Sequence, residues 1–400
     1  CARLRAGLLA GERARVRLGA RRGDGRMAEP LEILDPSPDR VAPPCPHAAL
    51  CGGCALQHLG DAGYAAWKDG LVEQAFAARD VTPERRLPML RIDEGRRRLR
   101  LAALGRADGV VVGFNAKASD QIVDIAACIA AAPGLVAAPG LLRPLLQRLL
   151  RPRETADVEA RTSTAGLDIL IVRARSFDLG EREAIAAFAA AHDIARIAWR
   201  PDDTDAAEVV AERTPPTLKV DDLTVAPPPG AFLQPTLAGE TAMAAFAGAR
   251  LQGATRVADL YAGWGAFALR LARPMHVEAF ESDAAMIASL NRAAGAAGLG
   301  GFVTGVARDL VRRPLFGAEL RRFDAVVLDP PRGGAAAQAA ALATDGPDRV
   351  VYLSCNPAAL ARDARTLIDG GYRFVEAMPI DQFRWTPHLE VAAYFRRSDG

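Results

Sequence analysis

The last third of the chain carries short apolar runs that end abruptly at polar or glycine-rich positions. Arg256-Val-Ala-Asp-Leu-Tyr261 predicts a strand, Gly263 and Gly265 a tight turn, and Phe267 to Leu271 the opening of a helix. A second run, Met275 to Phe280, closes on Glu281, and a helical spacing follows through Ile287 and Leu290. Phe323-Asp-Ala-Val-Val-Leu328 stops at Asp329-Pro330-Pro331-Arg332. Arg349-Val-Val-Tyr-Leu353 stops at Ser354-Cys355-Asn356-Pro357, with a helix pattern from Ala358, and Val391 to Phe395 gives a last strand. Strands apolar through their centres, alternating with helices, predict a buried parallel sheet and therefore an α/β, Rossmann-like domain.

The opening of the chain has a different period. Arg13, Arg15 and Arg17 alternate with Ala14, Val16 and Leu18, which predicts short strands with one apolar and one strongly basic face. Such a sheet suits a small barrel laid on a phosphate backbone, or a merely solvated edge. Pro36-Ser-Pro38 and Pro43-Pro44 mark a linker. Residues 57 to 79 predict a helix with Tyr64, Trp67, Leu71 and Ala75 on its core-facing side. Arg96-Arg97-Arg98-Leu99-Arg100 opens a strand region that ends at Cys128 and makes a second basic patch. Helix patterns at 138–150 and 181–192 alternate with apolar runs at 167–173 and 195–199, an α+β arrangement, and Pro227-Pro228-Pro229-Gly230 marks the next boundary. The expected domains are 1–38, 39–228 and 229–400, with the 57–79 helix free to pack on the third.

Composition adds little to this picture. Four hundred residues, half of them hydrophobic, suffice for two or three domains with real cores. No apolar run approaches a membrane span and no amino-terminal targeting pattern is visible, so a cytoplasmic, monomeric protein without a membrane partner is expected. A net charge of +2 does not by itself indicate RNA. The only lysines are Lys68, Lys117 and Lys219, so the positive charge is almost all arginine, the residue best shaped for bidentate phosphate contact.

The candidate chemistry collects at the strand ends. A strand, a glycine turn and a helix let backbone N–H groups approach a ligand, and Glu281, an acid closing the next strand, suits the ribose hydroxyls of a nucleoside cofactor. No third glycine completes a dinucleotide fingerprint, which points away from NAD and toward S-adenosylmethionine. The prolines stiffen their turn and hold the Asp329 carboxylate at the carboxyl edge of the sheet. Cys355 falls at the same edge beside a helix start, whose positive end favours thiolate. Taken alone it reads as a small apolar filler, and Glu390 and His388 read as an edge charge and a turn histidine.

Together the motifs are more specific. Cys45-Pro-His-Ala-Ala-Leu-Cys51-Gly-Gly-Cys54-Ala-Leu-Gln-His58, Asp124-Ile-Ala-Ala-Cys128, Phe232-Leu-Gln234, Asp259-Leu-Tyr-Ala-Gly-Trp-Gly265, Asp329-Pro-Pro-Arg332, Ser354-Cys-Asn-Pro357 and His388-Leu-Glu390 resemble, in this order, the RNA 5-methyluridine methyltransferases. Among these the chain is most similar to the ribosomal RNA branch that carries an iron–sulfur cluster. The resemblance implies that Cys355 is the nucleophile and Glu390 the base, that Gln234, Tyr261, Glu281 and Asp329 contact S-adenosylmethionine, and that Phe232 lies near the target base. It also implies that residues 1–38 are part of a TRAM domain, an RNA-binding barrel. Ala262, Ala266, Pro235-Thr236 and Pro387 depart from the family pattern and bear on the finer cofactor contacts.

Of six cysteines, Cys355 is accounted for and Cys1 is terminal, which leaves Cys45, Cys51, Cys54 and Cys128. A C-x5-C-x2-C run with a distant fourth cysteine has the ligand count of a [4Fe-4S] cluster, and Gly52-Gly53 permits a tight wrap of backbone around it. Four-thiolate zinc is the alternative, and a disulfide pair suits a chain without a signal peptide less well. The expectation is thus an S-adenosylmethionine-dependent enzyme making 5-methyluridine in 23S ribosomal RNA. Transfer RNA is the rival substrate, and an RNA-binding or folding factor without catalysis is the rival class. An amino-directed adenine methyltransferase would share Asp-Pro-Pro, but Arg332 stands where that chemistry wants an aromatic.

Overall fold

The computed structural model describes residues 2–4, 7–22, 25–117, 119–273 and 275–397; Cys1 lies outside them. Five apolar runs of the last third form the parallel part of a nine-stranded sheet. Reading across it, the strands are Val303–Ala307, His276–Glu281, Arg256–Leu260, Ala325–Leu328 and Arg349–Ser354, followed by Glu390–Arg397, Tyr372–Asp381 and the short edge strands Arg85–Arg86 and Leu90–Arg91. The first five are parallel, and Glu390–Arg397 enters antiparallel between Arg349–Ser354 and Tyr372–Asp381. The direction of strand succession reverses between Arg256–Leu260 and Ala325–Leu328. That crevice, at the carboxyl ends, is where open α/β sheets bind ligands.

Period-two alternation explains why these strands carry apolar residues on both sides. Val257, Val327 and Val351 face a core with Phe246, Leu290 and Met243, whereas Ala258, Val326 and Val350 face another with Val72, Leu360 and Leu367. Each central strand is buried on both faces, which strands with a solvated side never are.

The segment from 39 to 228 does not fold as one piece. The helix Asp61–Ala77 packs on the helix Pro357–Asp369, and the two edge strands that follow it pair with Tyr372–Asp381. Its buried face is Tyr64, Lys68, Val72 and Phe76, not the expected Tyr64, Trp67, Leu71 and Ala75; Trp67 is 37% exposed. The stripe was obscured because a lysine occupies one of its four positions. A hairpin, Leu218–Val220 with Leu223–Val225, also joins the catalytic core, so the Pro227–Gly230 boundary falls inside that core. What remains is an independent seven-stranded sheet, ordered Glu208–Glu212, Arg196–Arg200, Gly166–Val172, Thr155–Ser163, Arg98–Arg106, Gly109–Asn115 and Ile122–Asp124. The helices Ala138–Leu149 and Leu179–Ala191 cover it through Leu142, Leu146 and Ile185.

At the start of the chain, where part of a barrel is expected, the described residues form a three-stranded sheet, Ala2–Leu4, Gly25–Asp35 and Arg13–Arg22, that does not close among them. The expected basic face is neutralised. Arg13 pairs with Asp35 at 2.9 Å, Arg15 with Glu32 at 2.6 Å and Arg17 with Glu29 at 3.7 Å. Antiparallel pairing sets an acid opposite each arginine, which the one-strand pattern did not reveal. All six side chains are more than half exposed, so the ladder adds little stability and mainly cancels charge.

Candidate active site

The crevice opens into a cavity of about 520 Å³, a size common for nucleoside-sized ligands. Gln234, Tyr261, Gly263, Glu281, Asp329, Cys355 and Glu390 all line it, with Phe232, Trp264 and Arg332. Residues singled out from separated motifs therefore meet in one place: Tyr261, Glu281, Asp329 and Cys355 lie at or just past the carboxyl ends of parallel strands, Glu390 opens the antiparallel strand among them, and Gln234 comes from the segment before the helix Leu237–Arg250.

The turn after Arg256–Leu260 is strained for a purpose that its geometry makes plain. Tyr261 has φ 63°, a left-handed conformation rare outside glycine, followed by Gly263 at 57° and Gly265 at 93°. Gly263 donates its N–H to Glu281 Oε2 at 3.1 Å, and Glu281 Oε1 accepts from Ser282 N, Ser282 Oγ and Asp283 N, which fixes the carboxylate at the rim. Gly265 has another role than the expected cofactor contact. It does not line the cavity, and a Cβ there would stand 2.2 Å from Leu290 Cδ1, so this glycine lets the turn press against the helix Ala284–Ala296. Beneath the turn Asp259 is wholly buried, and burial, with Asp329 and Glu281 adding, pushes its carboxyl up to about 8.

The two proline-bearing turns are tied to each other. Asn356 caps the helix Pro357–Asp369 by accepting from Ala358 N at 3.2 Å, and its amide donates to Arg332 O at 3.0 Å. Cys355 is thereby held against the Asp329–Arg332 turn. The helix start does not make it a thiolate: burial, then Glu390 and Asp329, push the thiol up to about 11, against a smaller lowering by Arg332. Burial first, and then two nearby carboxylates, raise the thiol, a correction to the expectation drawn from the helix alone.

Asp329 and Glu390 are linked by two amides that join the site from separate segments. Gln234 Nε2 donates to Asp329 Oδ2 at 2.7 Å, Gln382 Nε2 donates to Gln234 Oε1 at 2.9 Å, and the same nitrogen reaches Glu390 Oε1 at 3.4 Å. Burial raises both carboxyls above their ordinary range; Glu240 adds to the rise of Asp329, and Asp329 to that of Glu390. Glu390 is 2% exposed, and its Oε2 is buried without a hydrogen-bond partner. A carboxylate oxygen left bare beside a thiol is costly unless a ligand uses it. Gln382 was missed from the sequence, where it reads as an ordinary loop amide.

The arginine run is knitted into the fold instead of forming a uniform basic patch. Arg97 is buried, donates to Gln234 O at 2.8 Å and pairs with Glu240; Arg100 pairs with Asp157 and Asp203, both at 2.7 Å; Arg98 lies 4.4 Å over the Phe232 ring. Two of the departures from the family pattern are also accommodated. Thr236 caps the helix Leu237–Arg250 through its hydroxyl, and Ala262 packs in the core.

Cys45, Cys51, Cys54 and Cys128 line one pocket, brought there from two segments. Cys51 bridges to Ala116, and Gly52 N donates to Asn115 O at 2.9 Å; a Cβ on Gly52 would come within 2.6 Å of that oxygen, so the loop requires glycine. Burial raises the Cys51 and Cys128 thiols. Among the described residues no group of three or more His, Cys, Asp or Glu is placed to hold a metal ion. Among them, too, no helix is long and apolar enough to cross a membrane.

Comparison with known proteins agrees with the fold. The tRNA (Uracil-5-)-methyltransferase family profile matches residues 307–398. An uncharacterized RNA methyltransferase of Caulobacter vibrioides is 40% identical over 94% of this chain and 90% of its own. The 23S rRNA (uracil(1939)-C(5))-methyltransferase RlmD of Chromohalobacter salexigens is 35% identical over 96% of this chain and 82% of its own. Among solved structures, the Pyrococcus abyssi tRNA (uracil-54, C5)-methyltransferase in complex with S-adenosyl-L-homocysteine shares the fold, with a TM-score of 0.70 over 95% of this chain and 91% of that one at 22% identity. By these relationships, with long relatives well above 30% identity, the chain belongs to the RNA (uracil-5-)-methyltransferases, enzymes that depend on S-adenosylmethionine.

Proposed function

We propose that this enzyme makes 5-methyluridine in 23S ribosomal RNA, with Cys355 as nucleophile and Glu390 as base. The observation that carries this reading is the bare Glu390 Oε2 in the same cavity as the Cys355 thiol. Uracil C5 is a poor nucleophile. Attack of the Cys355 sulfur at C6 converts the ring to an enolate, with its electron density at C5. When bound, S-adenosylmethionine supplies an electrophilic methyl group on sulfonium, and Gln234, Tyr261, Glu281 and Asp329 are the residues that would hold it. Glu390 then removes the C5 proton, the C5–H electrons form the C5–C6 double bond, and the thiolate leaves. Because C6 is inaccessible within a stack, the uridine has to be unstacked into the cavity, at a cost on the order of a few kcal/mol.

The ribosomal assignment rests on the 35% identical relative and on the four-cysteine pocket. Transfer RNA is the second reading, favoured by the activity of the solved structure that shares the fold. Mass mapping of 5-methyluridine in ribosomal and transfer RNA from a strain lacking this protein decides between them. Loss from 23S RNA alone is expected, and loss from transfer RNA alone would overturn the ribosomal reading.

The four cysteines would hold a [4Fe-4S] cluster, since thiols from two segments line a single pocket. Anaerobically purified protein is expected to be brown and to carry about four irons per chain. Colourless protein with one zinc per chain would establish the alternative. Replacing Cys51 by Ser should lower the thermal midpoint, because binding energy lost there is also folding energy.

A further inference from the structure

One buried cation has no part in the chemistry above. Lys68 lies on the helix Asp61–Ala77 with no solvent exposure, and its Nζ donates to Asp381 Oδ1 at 2.8 Å and to the carbonyl oxygen of His388. Asp381 is the last residue of the strand Tyr372–Asp381, and His388 stands two residues before Glu390. Ile380 pairs with Glu390 across the ladder, so Lys68 bridges the two roots of the loop 382–389. The third direction around the ammonium is taken by the Tyr64 ring, whose centroid is 5.4 Å away.

The tip of the same loop is held as well, in part by the same Tyr64. Ala55 N and Leu56 N donate to Trp385 O at 2.8 and 3.0 Å, and Trp385 N donates to the Tyr64 hydroxyl at 3.1 Å, with Trp385 itself in a left-handed conformation at φ 64°. A loop clamped at both roots and at its tip is built to keep one shape. Its first residue is Gln382, the amide that donates to Glu390 Oε1 and joins that carboxylate to Gln234.

We propose that Lys68 is a positioning residue for Glu390: by closing the roots of the 382–389 loop it sets Gln382, and through Gln382 it aims the carboxylate at the substrate. The choice of lysine follows from what it bridges. An ammonium has three donors and meets a carboxylate and a carbonyl at once, whereas an apolar side chain of the same length would leave the buried Asp381 without a counter-ion, with the Phe383 N–H at 3.2 Å still on its Oδ1. Burial lowers the Lys68 pKa while Asp381 raises it, so the pair stands or falls together. This inference rests on the assignment of Glu390 as base, and its test separates the two.

The variants are Lys68→Met and, to relieve the charge left on Asp381, the double change Lys68→Met with Asp381→Asn, both in the full chain. Two readouts are followed. Hydrogen exchange of the amides from Arg384 to His388 should be about tenfold or more faster in the double variant, with unchanged protection in the strand Arg256–Leu260; the Phe383 amide is left out because it bonds Asp381 itself. Turnover should fall by up to about 100-fold with the KM for S-adenosylmethionine within about threefold, and a covalent protein–RNA adduct should accumulate on a denaturing gel, since misplacing a base slows the elimination that it serves. A merely structural role would instead lower adduct, turnover and cofactor binding together. Unchanged loop exchange overturns the proposal, as does fast exchange without adduct while Glu390→Gln accumulates it. Should Glu390→Gln show no adduct, the base assignment fails, and the exchange measurement alone still decides whether Lys68 holds the loop.

Discussion

Cys355→Ala is expected to abolish methylation while leaving S-adenosylmethionine affinity within a few-fold. Among the described residues that line the cavity, the thiol is the only group able to add to C6 as a soft nucleophile, whereas Gln234, Tyr261, Glu281 and Asp329 are the residues proposed to hold the cofactor. Loss of nucleophilic catalysis removes the route that makes C5 reactive, so residual turnover should be at background. Calorimetric titration with S-adenosylmethionine and a methyl-incorporation assay read the two quantities separately. Robust methylation by the variant would sink the covalent mechanism. The wild-type thiol adds a pH signature. Its pKa is raised to about 11, so the free enzyme holds a small thiolate fraction that grows as pH rises, and Glu390, also raised, loses its proton in the same direction. The kcat/KM should therefore climb with pH through the neutral and mildly alkaline range. A profile flat from acid to alkaline pH would mean that neither group titrates on the way to the transition state.

The catalytic sheet was legible in the sequence because its strands are apolar on both faces and stop at sharp chemical punctuation. Asp329-Pro-Pro and Ser354-Cys-Asn-Pro end strands for reasons of backbone chemistry, so the residues at those ends fall at one edge of the sheet on sequence grounds alone. What was not legible came from pairing across long sequence separations. The acids opposite Arg13, Arg15 and Arg17 lie on another strand, and their register depends on bulges that no local pattern records. Lys68 was hidden because a charged residue on a helix reads as solvated, and only its partner 313 positions later makes burial tolerable. Gly265 looked like a cofactor glycine, but its Cβ vector points at Leu290 and not at the cavity. The raised thiol of Cys355 follows from burial and from two carboxylates, Glu390 and Asp329, brought beside it from separate strands, a sum that single motifs do not contain.

Replacing the proposed base without changing its shape gives the other large effect: Glu390→Gln should trap the enzyme on its RNA. The substitution keeps an oxygen to accept from Gln382 Nε2 and puts an amide nitrogen where Oε2 now lies bare. Addition at C6 and methylation at C5 do not require the carboxylate. Elimination does, because the C5 proton has nowhere else to go, and losing a positioned general base typically costs about 10² to 10⁴ in rate. A methylated protein–RNA adduct that survives denaturation should accumulate to near stoichiometry. The same change removes a negative charge that raises the Cys355 pKa, so the thiol should become more acidic, not less. Alkylation of Cys355 by iodoacetamide, followed against pH without RNA, should then shift to lower pH than in the wild type. Product release at the normal rate would show that Glu390 is not the base. An unshifted alkylation curve would show that the carboxylate and the thiol do not share the field their placement implies.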